Sequence, residues 1–150
     1  MLKIALPNKG RLSTKIYELL NSAGLNLDSK DERCLRIETK DKKFQLIFVR
    51  AADIPNFLDS KVADVGFTGY DIVVEKEIDL EVVKEFNFGK CDMVVALPED
   101  KNINNIEDLP KNLRVATSFP NIAKNYFKKL NIEAKISEIQ GAVEITPSLG

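Results

Sequence analysis

The chain contains no histidine. That absence removes the commonest general base and the commonest metal ligand, and it excludes a histidine-based triad or zinc centre. Cys34 and Cys91 are too few and too isolated for a disulfide framework or a thiolate metal site, which fits a reducing compartment. No apolar run approaches the ~20 residues needed to cross a bilayer. No basic segment followed by a long apolar stretch opens the chain, so no signal peptide is expected and the expected location is cytoplasmic. A formal net charge of −1 argues against a broad nucleic-acid surface, so any cation-rich site must be local. No internal repeat or low-complexity tract stands out.

What is present is a soluble globular composition. The 150 residues are 44% hydrophobic and 30% charged, enough apolar material for a real core. The first eleven residues organise the rest. Residues 2–6 read as a short apolar strand that runs into Pro7-Asn8-Lys9-Gly10-Arg11, and an amphipathic helix follows at once. A strand that ends in a glycine turn and hands over to a helix leaves backbone N–H groups pointing at the turn. Lys9 and Arg11 add two cations there. Such a turn suits a phosphate or carboxylate ligand; it is equally the form of a solvated polar turn.

The chain in order reads as α/β. Leu12, Ile16, Leu19, Leu20 and Ala23 share one helical face, and Gly24 is placed to end the helix. Residues 35–38 and 44–49 read as a hairpin laid onto the sheet. Arg50 follows, and Asp53 is placed to cap a helix with Pro55 in its first turn. A second strand, residues 62–67, stops at Thr68-Gly69 and hands over to a helix opened by Asp71. Consecutive strands linked by helices predict a mainly parallel sheet with its site at the carboxyl edge. Residues 80–88 read as extended, Gly89-Lys90 interrupts them, and residues 93–97 open a second lobe. In that lobe a helical turn covers 106–109, and a strand over 114–117 leads through Ser118-Phe119-Pro120 into a helix. Ile122, Tyr126, Phe127 and Leu130 are expected on its inner face, another strand covers 134–139, and a last helix begins at 141–144. The expected boundaries are 1–89 for the first lobe and 90–150 for the second. The second lobe lacks a return to the first, so the chain is expected to be cut short.

Several blocks carry a resemblance. LKIALPNKGRL (2–12), VRAADIP (49–55), ADVGFTGYD (63–71), FGKC (88–91), ATSFPN (116–121) and GAVEITPSLG (141–150) occur in this order in the ATP phosphoribosyltransferases, and the chain resembles that family from end to end. The resemblance implies a two-lobed fold of the type II periplasmic-binding-protein kind, with mainly parallel sheets flanked by helices. It implies the first step of histidine biosynthesis: N1 of ATP's adenine attacks the anomeric carbon of phosphoribosyl pyrophosphate, and pyrophosphate leaves with the help of substrate-bound Mg²⁺. It further implies a homo-oligomer, no nucleic acid or membrane partner, and, for short-form members, a regulatory partner similar to histidyl-tRNA synthetase. The short form is the one expected here.

Carried onto this sequence, the resemblance points to Lys9, Arg11 and Arg50 as catalytic residues, with Gly10 letting the backbone come close. For Arg50 the alternative is a surface ion pair. Gly66, Thr68 and Gly69 either line the site by backbone approach or form a structural turn; Asp71 orients a cation or caps its helix, and the cap is the favoured reading. Thr117 and Ser118 can offer hydroxyl and N–H donors to phosphate. Phe119 stacks near adenine or fills the core. Glu144 is a dipole-favoured surface acid or a ligand to ribose or metal, and Arg33 is a further candidate. No metal site is expected in the protein itself. In the family, a segment with two aspartates and a Thr-Gly-x-Thr phosphate cradle follows the GAVE-type helix. The sequence stops before it, so a polypeptide ending at Gly150 is expected to be inactive alone. The competing reading is a non-catalytic two-lobed module that binds a small anion.

Overall fold

The structure is a computed structural model describing residues 1–25, 34–101, 103 and 105–149. The chain divides into two compact units, Met1–Cys91 and Asp92–Gly150.

In the first unit, β1 (Leu2–Pro7) is a central strand because both of its faces are apolar. It pairs in parallel with β3 (Phe44–Val49) on one side and β4 (Val65–Gly66) on the other. β2 (Arg36–Glu38) runs antiparallel to β3, giving the order β2-β3-β1-β4 and the hairpin expected from sequence. Side chains alternate across the sheet. Ile4, Leu6, Leu46 and Phe48 bury against Ile16 and Leu20 of α1 (Arg11–Ser22). Ala5, on the opposite face, buries with Ile54 of α2 (Ile54–Asp59) and with Ala63. The helices that follow β1 and β3 therefore cover opposite faces. Ligands in open α/β sheets bind beyond the carboxyl ends of strands at such a divergence.

α1 stops where its sequence says it should. Gly24 takes φ +88°, its N–H bonds Asn21 O at 2.9 Å, and the Leu25 N–H bonds Leu20 O at 3.0 Å. That is a Schellman ending, and Leu25 packs against the same core as Leu20. α3 (Tyr70–Lys76) follows β4. Gly66 on β4 lets α2 approach: a Cβ there would stand 2.5 Å from Ile54 Cγ2 and 3.2 Å from Leu58 Cδ1.

The cap expected at Asp53 fails for an identifiable reason. Asp53 stands at the start of α2 but makes no side-chain cap. Ala51–Asp53 is already a 3-10 turn, which puts Asp53 at φ −94°, ψ −17° rather than in the extended conformation a capping side chain needs. Residues 80–88 join no strand ladder, and Val83 is 82% exposed.

The Thr39–Phe44 turn makes a pH-dependent contribution. The Thr39 hydroxyl donates to Asp41 Oδ1 at 2.6 Å and the Lys43 N–H donates to it at 3.1 Å. The hydroxyl first, then the backbone N–H, hold the Asp41 carboxyl below its ordinary pKa. A carboxyl depressed in the folded state stabilises at pH above its unfolded pKa and loses that contribution as pH falls through the folded value. Asp41→Asn is therefore expected to melt below the parent at neutral pH. Melting curves across the acid range should show the gap closing as the parent's carboxyl protonates.

In the second unit, β5 (Leu113–Thr117) and β6 (Ala134–Glu138) pair in parallel, joined by α4 (Pro120–Lys129). Ile106–Asp108 forms a 3-10 turn, and Val143–Leu149 is a 3-10 helix rather than an α-helix. Of the residues expected on the inner face of α4, Phe127 is buried and Ile122 half-buried, whereas Tyr126 and Leu130 are exposed. A sheet two strands wide among the described residues covers only a narrow stripe of the helix. The fold is α/β with mainly parallel sheets flanked by helices, the class expected from the sequence.

Candidate functional site

The carboxyl edge of the first unit's sheet gathers several of the nominated residues. Pro7 is in register with Val49, and the Asn8 N–H continues the ladder to Val49 O at 2.8 Å. Lys9, Gly10 and Arg11 therefore leave the sheet beside Arg50, which follows the neighbouring strand. On the other side of β1 the Phe67 N–H bonds Ala5 O at 3.0 Å, which puts Thr68 and Gly69 beyond the same edge. The Thr68 hydroxyl donates to Ala51 O at 2.9 Å and ties the turn after β4 to the turn after β3.

The turn at residues 8–10 is held from several directions. The Tyr17 hydroxyl donates to Pro7 O at 2.6 Å, and Ser13 sends its hydroxyl to Gly10 O at 2.7 Å. Gly10 occupies φ +103°, ψ 174°, a region open essentially to glycine alone. A Cβ there would meet nothing within 4 Å, so glycine is required by conformation and not by space. Gly10→Ala should accordingly cost about 1–3 kcal/mol of stability, the range for one strained residue. A thermal melt beside the parent checks it, and an unchanged midpoint would mean the turn is free to relax.

The electrostatics of this turn run against stability. Arg11 is the first residue of α1, at the positive end of the helix dipole, and the first turn holds no acidic residue. Lys9, Arg11 and Arg50 are exposed, and none has a carboxylate partner among the described residues. Among the described residues, then, Arg50 has no surface ion pair.

The turn after β4, which looks like a second copy in sequence, is built differently. Asp71 accepts the Ile72 N–H at 2.9 Å in the first turn of α3. A side chain at Gly69 would collide with that carboxylate. This helix end carries its own negative charge; the end of α1 does not.

In the second unit, considered by itself, Thr117, Ser118 and Phe119 lie between β5 and α4. Thr117 Oγ1 accepts the Phe119 N–H at 3.0 Å, leaving the hydroxyl proton available to donate. The Ser118 hydroxyl has no hydrogen-bond partner among the described residues. Phe119 is half-buried and lies outside the buried set formed by Leu113 and Phe127. Pro120 opens α4, whose first turn also lacks an acid. Glu144 is exposed in the Val143–Leu149 helix. Arg33 lies outside the described residues. An open groove of about 450 Å³ between α4 and β6, lined by Lys124, Phe127, Lys128, Ile132 and Ile136 among others, involves none of the nominated residues.

Two residues escaped the sequence reading. Asn8 Oδ1 is buried without a hydrogen-bond partner among the described residues, inside the basic turn itself. Its place between Pro7 and Lys9 was the available signal. Tyr17 braces Pro7 from ten residues away, and periodicity alone assigns it only to a helix flank.

Comparisons with known proteins point one way. Residues 50–150 match the family model described as HisG: ATP phosphoribosyltransferase. The chain is 45% identical to an ATP phosphoribosyltransferase of Methanocaldococcus jannaschii, the match covering 100% of the chain and 52% of that protein. It is 43% identical to one from Metallosphaera sedula, covering 99% of the chain and 52% of the relative. The chain thus spans about half the length of the curated relatives it matches. Among solved structures, the ATP phosphoribosyl transferase (HisG:HisZ) complex from Thermotoga maritima matches with a TM-score of 0.77 and 32% identity, over 100% of this chain and 69% of that one. A strand–turn–helix opening with uncompensated cations, an α/β fold and a family match across two thirds of the sequence agree: the chain belongs to the HisG family of ATP phosphoribosyltransferases.

Proposed function

We propose that this chain carries the part of an ATP phosphoribosyltransferase that grips substrate phosphates, for the condensation of ATP with phosphoribosyl pyrophosphate at the start of histidine biosynthesis. In that reaction a bond forms between adenine N1 and the anomeric carbon of the ribose. The bond from that carbon to the pyrophosphate oxygen breaks, and its electron pair leaves on pyrophosphate. Adenine N1 attacks with a lone pair already in place, so no base has to act first, and a chain without histidine loses nothing. The protein's task is to orient two polyanions and to neutralise charge that grows on the leaving group.

The observation that carries this reading is the basic turn. A helix start with no acid and a cation on the unfavourable end of its dipole is a standing cost to stability, and an anion placed there turns both into attraction. Lys9, Arg11 and Arg50 serve as phosphate ligands, Gly10 holds the N–H groups outward, and Thr68 and Gly69 border the same edge through their backbone. In the second unit Thr117 and Ser118 are hydroxyl donors to phosphate, with Phe119 against the base and Glu144 toward ribose. Mg²⁺ enters on the substrate phosphates. Cations with N–H donors suit the phosphates rather than the metal ion. No described helix is long and apolar enough to cross a membrane, and a cytoplasmic site of action fits a pathway whose substrates are both phosphorylated. The Thermotoga maritima relative was solved as a HisG:HisZ complex, which supports an oligomer with a regulatory subunit of that kind here.

Calorimetric titration with ATP and with phosphoribosyl pyrophosphate, with and without Mg²⁺, tests the reading. Magnesium-dependent nucleotide binding is expected. Binding of an amino acid or inorganic anion with no affinity for ATP would replace it with the binding-module reading.

A further inference from the structure

Beyond the basic turn, the first unit contains a row of phenylalanines that the function has not used. The rings of Phe67 and Phe86 stack at 5.9 Å with 29° between planes, and those of Phe86 and Phe88 stack at 5.4 Å with 27°. Phe67 is the last residue before the Thr68-Gly69 turn, and both Phe67 and Phe88 pack against the core under α1. The row ends at Gly89, which adopts φ +72°. A side chain at 89 would collide with Leu12 Cδ2, and Leu12 is the second residue of α1, directly after Arg11. The end of the segment read as extended is thus fitted against the first turn of α1 and the end of β4.

We propose that Phe86, Phe88 and Gly89 form a brace that positions the Lys9–Arg11 turn, with Gly89 and Phe86 as positioning residues for its phosphate ligand. Leu12 packs on the core with its side-chain end where a Cβ at 89 would stand, so a bare Gly89 leaves Leu12 its place and Arg11 keeps its direction. The stack links that contact through Phe67 to the start of the Thr68 turn. Side-chain placements that drift by about 1 Å cost on the order of 10²-fold in a positioned reaction, which is why a contact remote from the ligand matters. The proposal rests on the phosphate-binding reading of the turn.

Gly89→Ala is the sharp test, because it adds both the collision and the strain. Gly24→Ala is its matched control: Gly24 also has positive φ, at +88°, but a Cβ there meets nothing within 4 Å and lies at the far end of α1. Both variants should lower the melting temperature. Only Gly89→Ala, and Phe86→Leu to a lesser degree, should weaken pyrophosphate binding, by about tenfold, the equivalent of about 1.4 kcal/mol. If Gly89→Ala and Gly24→Ala lose stability alike while both hold pyrophosphate as the parent does, the brace is overturned. If Gly89→Ala fails to fold, Phe86→Leu decides on the same readout. If the parent itself binds no pyrophosphate, the phosphate reading fails, and amide spectra then judge the brace alone. Shifts at residues 8–12 in Gly89→Ala well beyond those in Gly24→Ala support it, and equal shifts overturn it.

Discussion

Replacing Lys9 and Arg11 together by serine is expected to weaken pyrophosphate binding by at least about 100-fold without lowering stability. A hydrogen bond to a charged group contributes about 1.5–3 kcal/mol, and each 1.4 kcal/mol is tenfold in affinity. Both side chains are exposed, and neither has a carboxylate partner among the described residues for the change to break. Removing Arg11 should even relieve helix α1, because a cation at a helix start is unfavourable by about 0.3–1 kcal/mol. The diagnostic result is therefore a pair of opposite signs: affinity falls, and the melting temperature holds or rises. A structural role for these residues would move both in the same direction. Calorimetry and a thermal melt on one preparation read both.

Phe48→Ala is expected to be the most damaging single change to the first unit. Phe48 is 1% exposed, at the centre of the cluster formed by Ile4, Leu6, Ile16, Leu20 and Leu46. Truncating a buried phenylalanine costs about 3–5 kcal/mol. Domains are stable by only about 5–15 kcal/mol, so much of the margin goes. The damage should also reach the site. Phe48 meets the Tyr17 ring edge-on at 5.9 Å, and Tyr17 holds Pro7 O through its hydroxyl. Denaturant melts give the stability loss. Pyrophosphate affinity measured where the variant is still folded should fall too, because the turn has lost the packing behind one of its braces.

Much of this was legible in the sequence where a local rule and the tertiary environment agree. α1 shows its apolar face at helical spacing and ends on a glycine that structure places in a left-handed cap. The hairpin of β2 and β3 shows as alternation beside an apolar run. Lys9, Gly10, Arg11 and Arg50 could be nominated because strand ends and glycines are visible, and the parallel register then sets them along one edge. What stayed hidden depends on partners distant in the chain. Nothing local says that Phe67 and Phe86 will stack, that Tyr17 will hold Pro7, or that Gly89 will lie against Leu12. The Asp53 cap failed because the preceding turn had already coiled. Tyr126 and Leu130 misled because helical periodicity marks an apolar face without giving the width of sheet that covers it. The two glycine turns look alike in sequence apart from Asp71, which reads as a cap and does place its carboxylate in the first turn of α3.

The most direct test of the central claim is a pyrophosphate titration followed by amide chemical shifts in the labelled chain. The account predicts saturable shifts centred on residues 8–12, with Arg50 and Ala51 following, and loss of those shifts in the Lys9→Ser/Arg11→Ser variant. Shifts centred on the groove of α4 and β6 around Lys124 and Lys128, with residues 8–12 unmoved, would contradict it.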